Sequence, residues 1–309
     1  MDMSVDVGGL ALKNPVLVAS GTFGYGREFD KLFDIAALGA IMVKGVSTLP
    51  WAGNPGRRIA ETPAGMLNAI GLQNPGLEHF IGVDLPWLRE KGATVVVNVV
   101  GHTSAEYVAV ASAVSAAGGV AAIEINVSCP NIEGGLDFGT DPAGLADLVA
   151  AVRRSTALPL FVKLSPNVTD ILPLARAAVE EGADGLSLIN TVLGLAIDVE
   201  ARRPSLGHVT GGLSGPAVKP IALRFVYEVR SHLDVPIIGM GGIATARDAL
   251  EFIYAGANAV AVGSALFRNP LAAVEVAEGL GSLMEKEGFA CVAEASGAAQ
   301  LGRDRFGPS

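Results

Sequence analysis

The chain has 309 residues, half of them hydrophobic and only 17% charged, enough apolar material for a large buried core. A net charge of −9 and an isoelectric point near 5.0 exclude a nucleic-acid backbone as the main partner. Two cysteines, Cys129 and Cys291, exclude a disulfide framework and cannot alone ligate an iron–sulfur cluster; four scattered histidines show no metal-ligand spacing, so no metal site is expected.

The opening MDMSVDVGG has neither the basic stretch nor the apolar run of a signal peptide, so a soluble cytoplasmic protein is expected. MSVDVGGLALKN reads as a hairpin turning at Gly8-Gly9, a candidate plug for the bottom of a barrel. Eight apolar runs rich in β-branched residues then recur: 15–20, 40–47, 94–100, 121–128, 159–165, 185–190, 236–242 and 259–265. Nearly continuous apolar character marks strands buried on both faces, as in parallel sheets. Segments with helical spacing lie between them, at 104–117, 141–155, 169–181, 217–232, 246–255 and 270–286, with Thr103, Asp141 and Thr169 as candidate caps. The charge-free stretch 107–123 contains Ser112, Ser115 and Gly118-Gly119, and reads as helix, turn and strand start rather than a membrane span.

Eight strand–helix units predict a (β/α)8 TIM barrel, taken as one domain over 1–309. A doubly wound sheet is the alternative, but GTFGYG (21–26) spaces its glycines wrongly for a dinucleotide fingerprint. Strand starts are 54 residues apart from 40 to 94 and 51 apart from 185 to 236. Both excesses follow a strand, the second and the sixth, so they are expected as lids on the carboxyl-end face.

The strands close on Ser20, Lys44, Asn98, Asn126, Lys163, Asn190, Gly241-Gly242 and Gly263-Ser264. Two lysines inside apolar runs, Lys44 in IMVKGV and Lys163 in FVKLS, each call for an anionic partner, because an unpaired buried ammonium costs several kcal/mol. With the amides they suit a planar, anionic, hydrogen-bond-rich ligand. GMGGI (239–243) and VGSAL (262–266) end strands seven and eight in small residues that expose backbone N–H groups, the place where barrels cradle phosphate. Cys291 reads as an inert apolar thiol. Cys129 follows the fourth strand, which carries one acid, Glu124, and sits on a loop with Asn131 and Gly134-Gly135; a thiol there can exchange protons.

EINVSCPN, VKLSPN, INTVLG, MLNAIGLQNPG and NPVLVASGTFGYG together resemble class 1 dihydroorotate dehydrogenase, in the family's order and over essentially the whole chain. That resemblance implies an FMN barrel. It implies that Gly241, Gly242, Gly263 and Ser264 hold the FMN phosphate, and that Ser20, Lys44, Gly45, Asn98, Asn126, Ile189 and Gly215 contact the flavin and its ribityl chain. Lys163 would stand at the flavin's pyrimidine edge, where a cation favours the reduced anion. Dihydroorotate or orotate would be held by Asn68, Ala69, Ile70, Gly71 and Leu72 with Asn126, Asn190 and Thr191, countered by Lys44, with Asn131 a further candidate. Cys129 would be the catalytic base, on a loop hinged at Gly134-Gly135.

Class 2 enzymes of the family use serine as base and carry an amphipathic N-terminal extension; neither matches here. LKNPVLVASGTFGYG and GMLNAIGLQNPG resemble the NAD-linked class 1B branch, implying a homodimer core joined by a subunit with FAD and a [2Fe–2S] cluster, a heterotetramer. The near alternative is the fumarate-linked class 1A homodimer. More distant are a flavin-dependent tRNA-dihydrouridine synthase, opposed by the acidic charge, and a non-redox phosphate-binding barrel enzyme, which would purify colourless. A scaffold role would leave the two buried lysines unexplained.

Overall fold

Eight short apolar runs become the strands of a closed parallel barrel in the computed structural model, which describes residues 1–127 and 138–300. They are β1 (Val16–Val18), β2 (Ala40–Met42), β3 (Val95–Val99), β4 (Ala122–Asn126), β5 (Leu160–Lys163), β6 (Gly185–Leu188), β7 (Ile237–Met240) and β8 (Ala259–Val262). Each pairs with the next, and β8 closes on β1 through Val260–Val16 and Val262–Val18.

Two-residue periodicity divides the side chains of each strand. One set, including Val16, Val18, Ile41, Val97, Ile123, Ile125, Val162 and Leu186, packs outward under the helices. The other, including Leu17, Met42, Val96, Ala122, Phe161, Ile238 and Ala259, fills the lumen. The same alternation carries Lys44 (two beyond Met42), Asn98 (two beyond Val96), Glu124 and Asn126 (two and four beyond Ala122) and Lys163 (two beyond Phe161) to the inside.

The N-terminal hairpin, Val5–Val7 with Leu10–Leu12, joins the lumen cluster through Val7, Leu10 and Leu12. Gly8 and Gly9 turn at φ 58° and 84°, and Gly8 lies so close to the carbonyl of Asp184, just before β6, that no side chain would fit. The hairpin therefore plugs the amino end, leaving the carboxyl end as the open mouth.

The expected helices appear as Ser104–Ala117, Pro142–Arg153, Leu172–Glu180, Lys219–His232, Ala246–Ala255 and Ala272–Lys286. Thr103 accepts from the Glu106 N–H, and Asp141 from those of Ala143 and Gly144. Thr169 does not cap: its helix starts at Leu172, whose N–H is taken by Asp170. The first strand–helix unit also departs from expectation, with only 3₁₀ turns at Phe29–Lys31 and Ile35–Ala37. Gly21, Gly24 and Gly26 all have positive φ, and a stacked Phe23–Phe29 pair at 4.1 Å fills the space instead. Between β2 and β3 the helical stretch Leu77–His79, Phe80–Asp84 and Leu85–Glu90 contains a π-turn. Among the described residues no helix is long and apolar enough to cross a membrane.

The two insertions meet. Ile59–Thr62 and Gly65–Asn68, after β2, join Gly211–Ser214 and Val192–Gly194, after β6, in one antiparallel four-stranded sheet. Asn68 pairs with Gly212 and Met66 with Ser214, over a small core of Ala60, Leu67, Ala69 and Leu206. This sheet ties the segments that follow two distant strands into one cover.

Candidate active site

The lumen turns polar at the mouth. Asn98 is 1% exposed, Glu124 0%, Asn126 7% and Lys163 6%. Strand register places Asn98 beside Glu124, Asn126 beside Lys163, and Lys163 beside Ser187. Asn98 Nδ2 donates to Glu124 Oε1 at 2.6 Å, Asn126 Nδ2 to Asn98 Oδ1 at 3.4 Å, and Asn190 Nδ2 to Asn126 Oδ1 at 3.2 Å. Lys163 Nζ donates to Ser20 Oγ at 3.3 Å, and that hydroxyl stands a long 3.5 Å from Glu124 Oε1.

The lysines' expected anionic partners are only partly supplied by the protein. Lys163 reaches a carboxylate through the Ser20 hydroxyl. Lys44, half-buried, makes no ion pair among the described residues. Burial, and then the guanidinium of Arg58, hold its ammonium below the ordinary lysine range. A cation so disfavoured is a built attraction for an anion.

Beside this layer lies a cradle of close backbone approaches. Gly241 and Gly242 have φ of 126° and 78°; a Cβ on Gly242 would fall 2.8 Å from the Gly215 carbonyl oxygen, and one on Gly241 would fall 3.7 Å from Ile189 Cγ1. Gly45 stands against Asn98, where a Cβ would come 3.2 Å from Oδ1. Gly263 follows β8 and precedes the 3₁₀ turn Ser264–Phe267. The backbone N–H groups of Gly241, Gly242 and Gly263 donate to no carbonyl among the described residues. Orphan donors on strand ends suit a phosphate. Lys219, against Gly242, does not add free charge, since its Nζ pairs with Asp248 at 2.7 Å and Glu251 at 3.0 Å. The donor set fits a flat phosphorylated group lying between cradle and lysines.

Comparison with known proteins gives the family. The family model described as dihydroorotate dehydrogenase matches residues 2–284. The chain is similar to the dihydroorotate dehydrogenase B (NAD(+)) catalytic subunit of Geotalea daltonii, 54% identical over 97% of this chain and 99% of that one. It is likewise similar to the subunits so named from Alkaliphilus metalliredigens, 54% identical over 93% and 95%, and Bacillus cytotoxicus, 51% identical over 96% of each. The chain belongs to the dihydroorotate dehydrogenase family.

In this family member the segment 68–72, singled out for substrate, starts at the last residue of a lid-sheet strand, Asn68, and runs on beyond it. Asn68 Nδ2 donates to the Gly212 carbonyl at 3.2 Å, Gly71 and Leu72 have φ of 73° and 51°, and Ala69 is buried. Asn190 Oδ1 accepts from the Thr191 N–H at 2.8 Å, and Thr191 packs against Gly212 of the same sheet. Cys129, Asn131, Gly134 and Gly135 lie outside the described residues.

Four positioning residues were missed in the sequence. Asn54 holds the 68–72 segment by its N–H to the Ile70 carbonyl (3.0 Å) and Nδ2 to that of Ala69 (3.1 Å). Asn74 donates to the Leu72 carbonyl and accepts from Ser47 Oγ and the Gly76 N–H. Both precede proline, a turn signal that could have marked them. Asn167 bridges the Thr191 carbonyl and Leu193 N–H, and the buried Tyr107 hydroxyl donates to the Asn126 carbonyl at 2.7 Å. Because Asn74 is 5% exposed, Asn74→Ala strands several buried groups. It should lower unfolding free energy by about 1–3 kcal/mol, measured by denaturant titration; an unchanged midpoint would contradict the clamp.

Proposed function

We propose that this chain oxidises dihydroorotate to orotate in pyrimidine biosynthesis, using bound FMN and delivering electrons to NAD through a separate subunit. The relatives' printed names, with NAD(+) and catalytic subunit, support the acceptor and the existence of a partner. In this reading the partner carries FAD and a [2Fe–2S] cluster, two catalytic chains form the core of a heterotetramer, and the protein works in the cytoplasm. The observation that carries the proposal is the pairing, at one barrel mouth, of two ammonium groups and an amide ladder with a cradle of unpartnered N–H groups.

Gly241, Gly242, Gly263 and Ser264 hold the phosphate; Ser20, Gly45, Asn98, Ile189 and Gly215 line the flavin and ribityl chain. Lys163 faces the pyrimidine edge, where its charge stabilises negative charge gained on reduction. FMN, when bound, supplies the two-electron acceptor for the hydride that leaves one substrate carbon. Cys129 takes the proton from the adjacent carbon on the opposite face, completing the new double bond. Asn126, Asn190, Thr191 and residues 68–72 fix the substrate ring, Lys44 meets its carboxylate, and the lid sheet excludes water.

Electron transfer decides between branches. Dihydroorotate should reduce NAD only when the purified chain is combined with an iron-containing flavoprotein subunit. Turnover of fumarate by the chain alone would instead establish the fumarate-linked homodimer.

The depressed Lys44 also predicts a pH profile. An anion beside Lys44 favours its charged form, so the complex holds a proton that the free site loses as pH rises through the lowered value. Orotate affinity should then fall by up to about tenfold per pH unit across that alkaline window, as read by spectral titration. In Lys44→Ala this component of the slope should vanish; an identical slope would sink the assignment.

A further inference from the structure

Glu124 has no part in the roles set out above, yet its location is the least expected of any charged group in the barrel. It lies mid-strand in β4 and wholly buried, where the apolar lumen of Leu17, Met42, Val96, Phe161 and Ile238 gives way to the polar layer of Asn98, Asn126 and Lys163. An apolar side chain there would avoid the several kcal/mol that desolvating a carboxylate costs. Its Oε2 has no hydrogen-bond partner among the described residues, so the hydrogen bonds do not use its full accepting capacity. Stability alone does not account for it.

The directions of the hydrogen bonds do. Two donor chains converge on Oε1. One runs Asn190 to Asn126 to Asn98 to Glu124, each Nδ2 donating to the next acceptor. The other runs from Lys163 Nζ to Ser20 Oγ, whose hydroxyl is directed at Glu124. A carboxylate only accepts, so Asn98 must turn Nδ2 toward it and Oδ1 away. Asn126 must then give Nδ2 to Asn98 and present Oδ1 to Asn190. The upper end is pinned separately, because Asn190 Oδ1 accepts from the Thr191 N–H at 2.8 Å, so the amide chain runs in one direction from both ends and Glu124 anchors its Asn98 end.

We propose that Glu124 is a positioning residue that, as the terminal acceptor beneath the site, anchors the Asn98 amide and provides the counter-charge that holds Lys163 through Ser20. This rests on the FMN reading for its consequence, but the geometry belongs to the chain itself. With FMN bound, a negative charge linked to Lys163 would oppose the charge gained on reduction, so Glu124 would temper Lys163 and lower the potential that the lysine raises.

Glu124→Gln conserves shape, keeps an oxygen that can accept from Asn98, and removes the charge. In holoprotein it should move the FMN midpoint potential upward, a readout that a purely structural role would leave in place. In FMN-free protein, acetic anhydride should acylate Lys163 faster than in wild type, because the unreactive ammonium form loses its counter-charge; mass spectrometry follows the site. Ser20→Ala, which cuts the link without touching the carboxylate, should also accelerate Lys163 acylation and stands in if the glutamine variant does not fold. An unmoved potential in Glu124→Gln, or wild-type acylation rates in the folded variants, overturns the proposal. Wild-type protein that takes up no FMN would refute the functional reading, while acylation would still decide the role of Glu124.

Discussion

Cys129→Ser should slow reduction of bound FMN by dihydroorotate by about 10²–10⁴-fold near neutral pH, the usual contribution of a general base. A thiol has a free-solution pKa of about 8.5 and yields a useful fraction of base, whereas an alcohol does not. The loss should sit in the chemical step. Asn126, three residues earlier, is anchored by Asn98, Asn190 and Tyr107, and the glycine cradle lies on other strands, so FMN content should match wild type. Rapid-mixing absorbance under anaerobic conditions measures the rate. Reduction within a fewfold of wild type would remove Cys129 as the base.

Gly242→Val should yield protein with little FMN, its retention weakened at least about tenfold, equivalent to 1.4 kcal/mol. Two effects combine. Gly242 has φ 78°, a region that costs an L-residue roughly 1–2 kcal/mol, and its new Cβ would lie 2.8 Å from the Gly215 oxygen and 2.9 Å from Lys219 Cβ. The cradle must open, parting Gly215 from the strand-seven turn. Gly288→Ala is the control: φ is 88°, but nothing lies within 4 Å of the added carbon. Its FMN-to-protein ratio after desalting should be normal. Normal FMN in Gly242→Val would place the phosphate elsewhere.

Much of the barrel was legible because burial on both faces writes itself into local composition. Runs such as TVVVNVV and AVAVGSA need no knowledge of their neighbours, and a lysine two residues beyond Phe161 is informative because strands alternate with period two. The insertions were visible as excess length, but their joining was not. Pairing Gly65–Asn68 with Gly211–Ser214 depends on contacts between distant parts of the chain, and weakly patterned segments do not announce such partners. Thr169 failed as a cap because Asp170 competed one residue later, within the ordinary uncertainty of a helix start.

The site shows the same division. Amides at strand ends could be picked out one by one, as could the glycines of the cradle. What a neighbour does to them could not. Burial, and then Arg58 from the insertion, depress Lys44, and Glu124 was visible only as an acid in an apolar strand until Ser20 and Asn98 were seen to converge on it. The direction of a hydrogen-bond chain is a property of the assembled barrel.

The most direct test of the central claim is an anaerobic titration of the purified, yellow chain with dihydroorotate. One equivalent should bleach the bound FMN and release one equivalent of orotate, with no partner subunit present. A colourless protein, or a bound flavin that stays oxidised in excess dihydroorotate, would contradict the account.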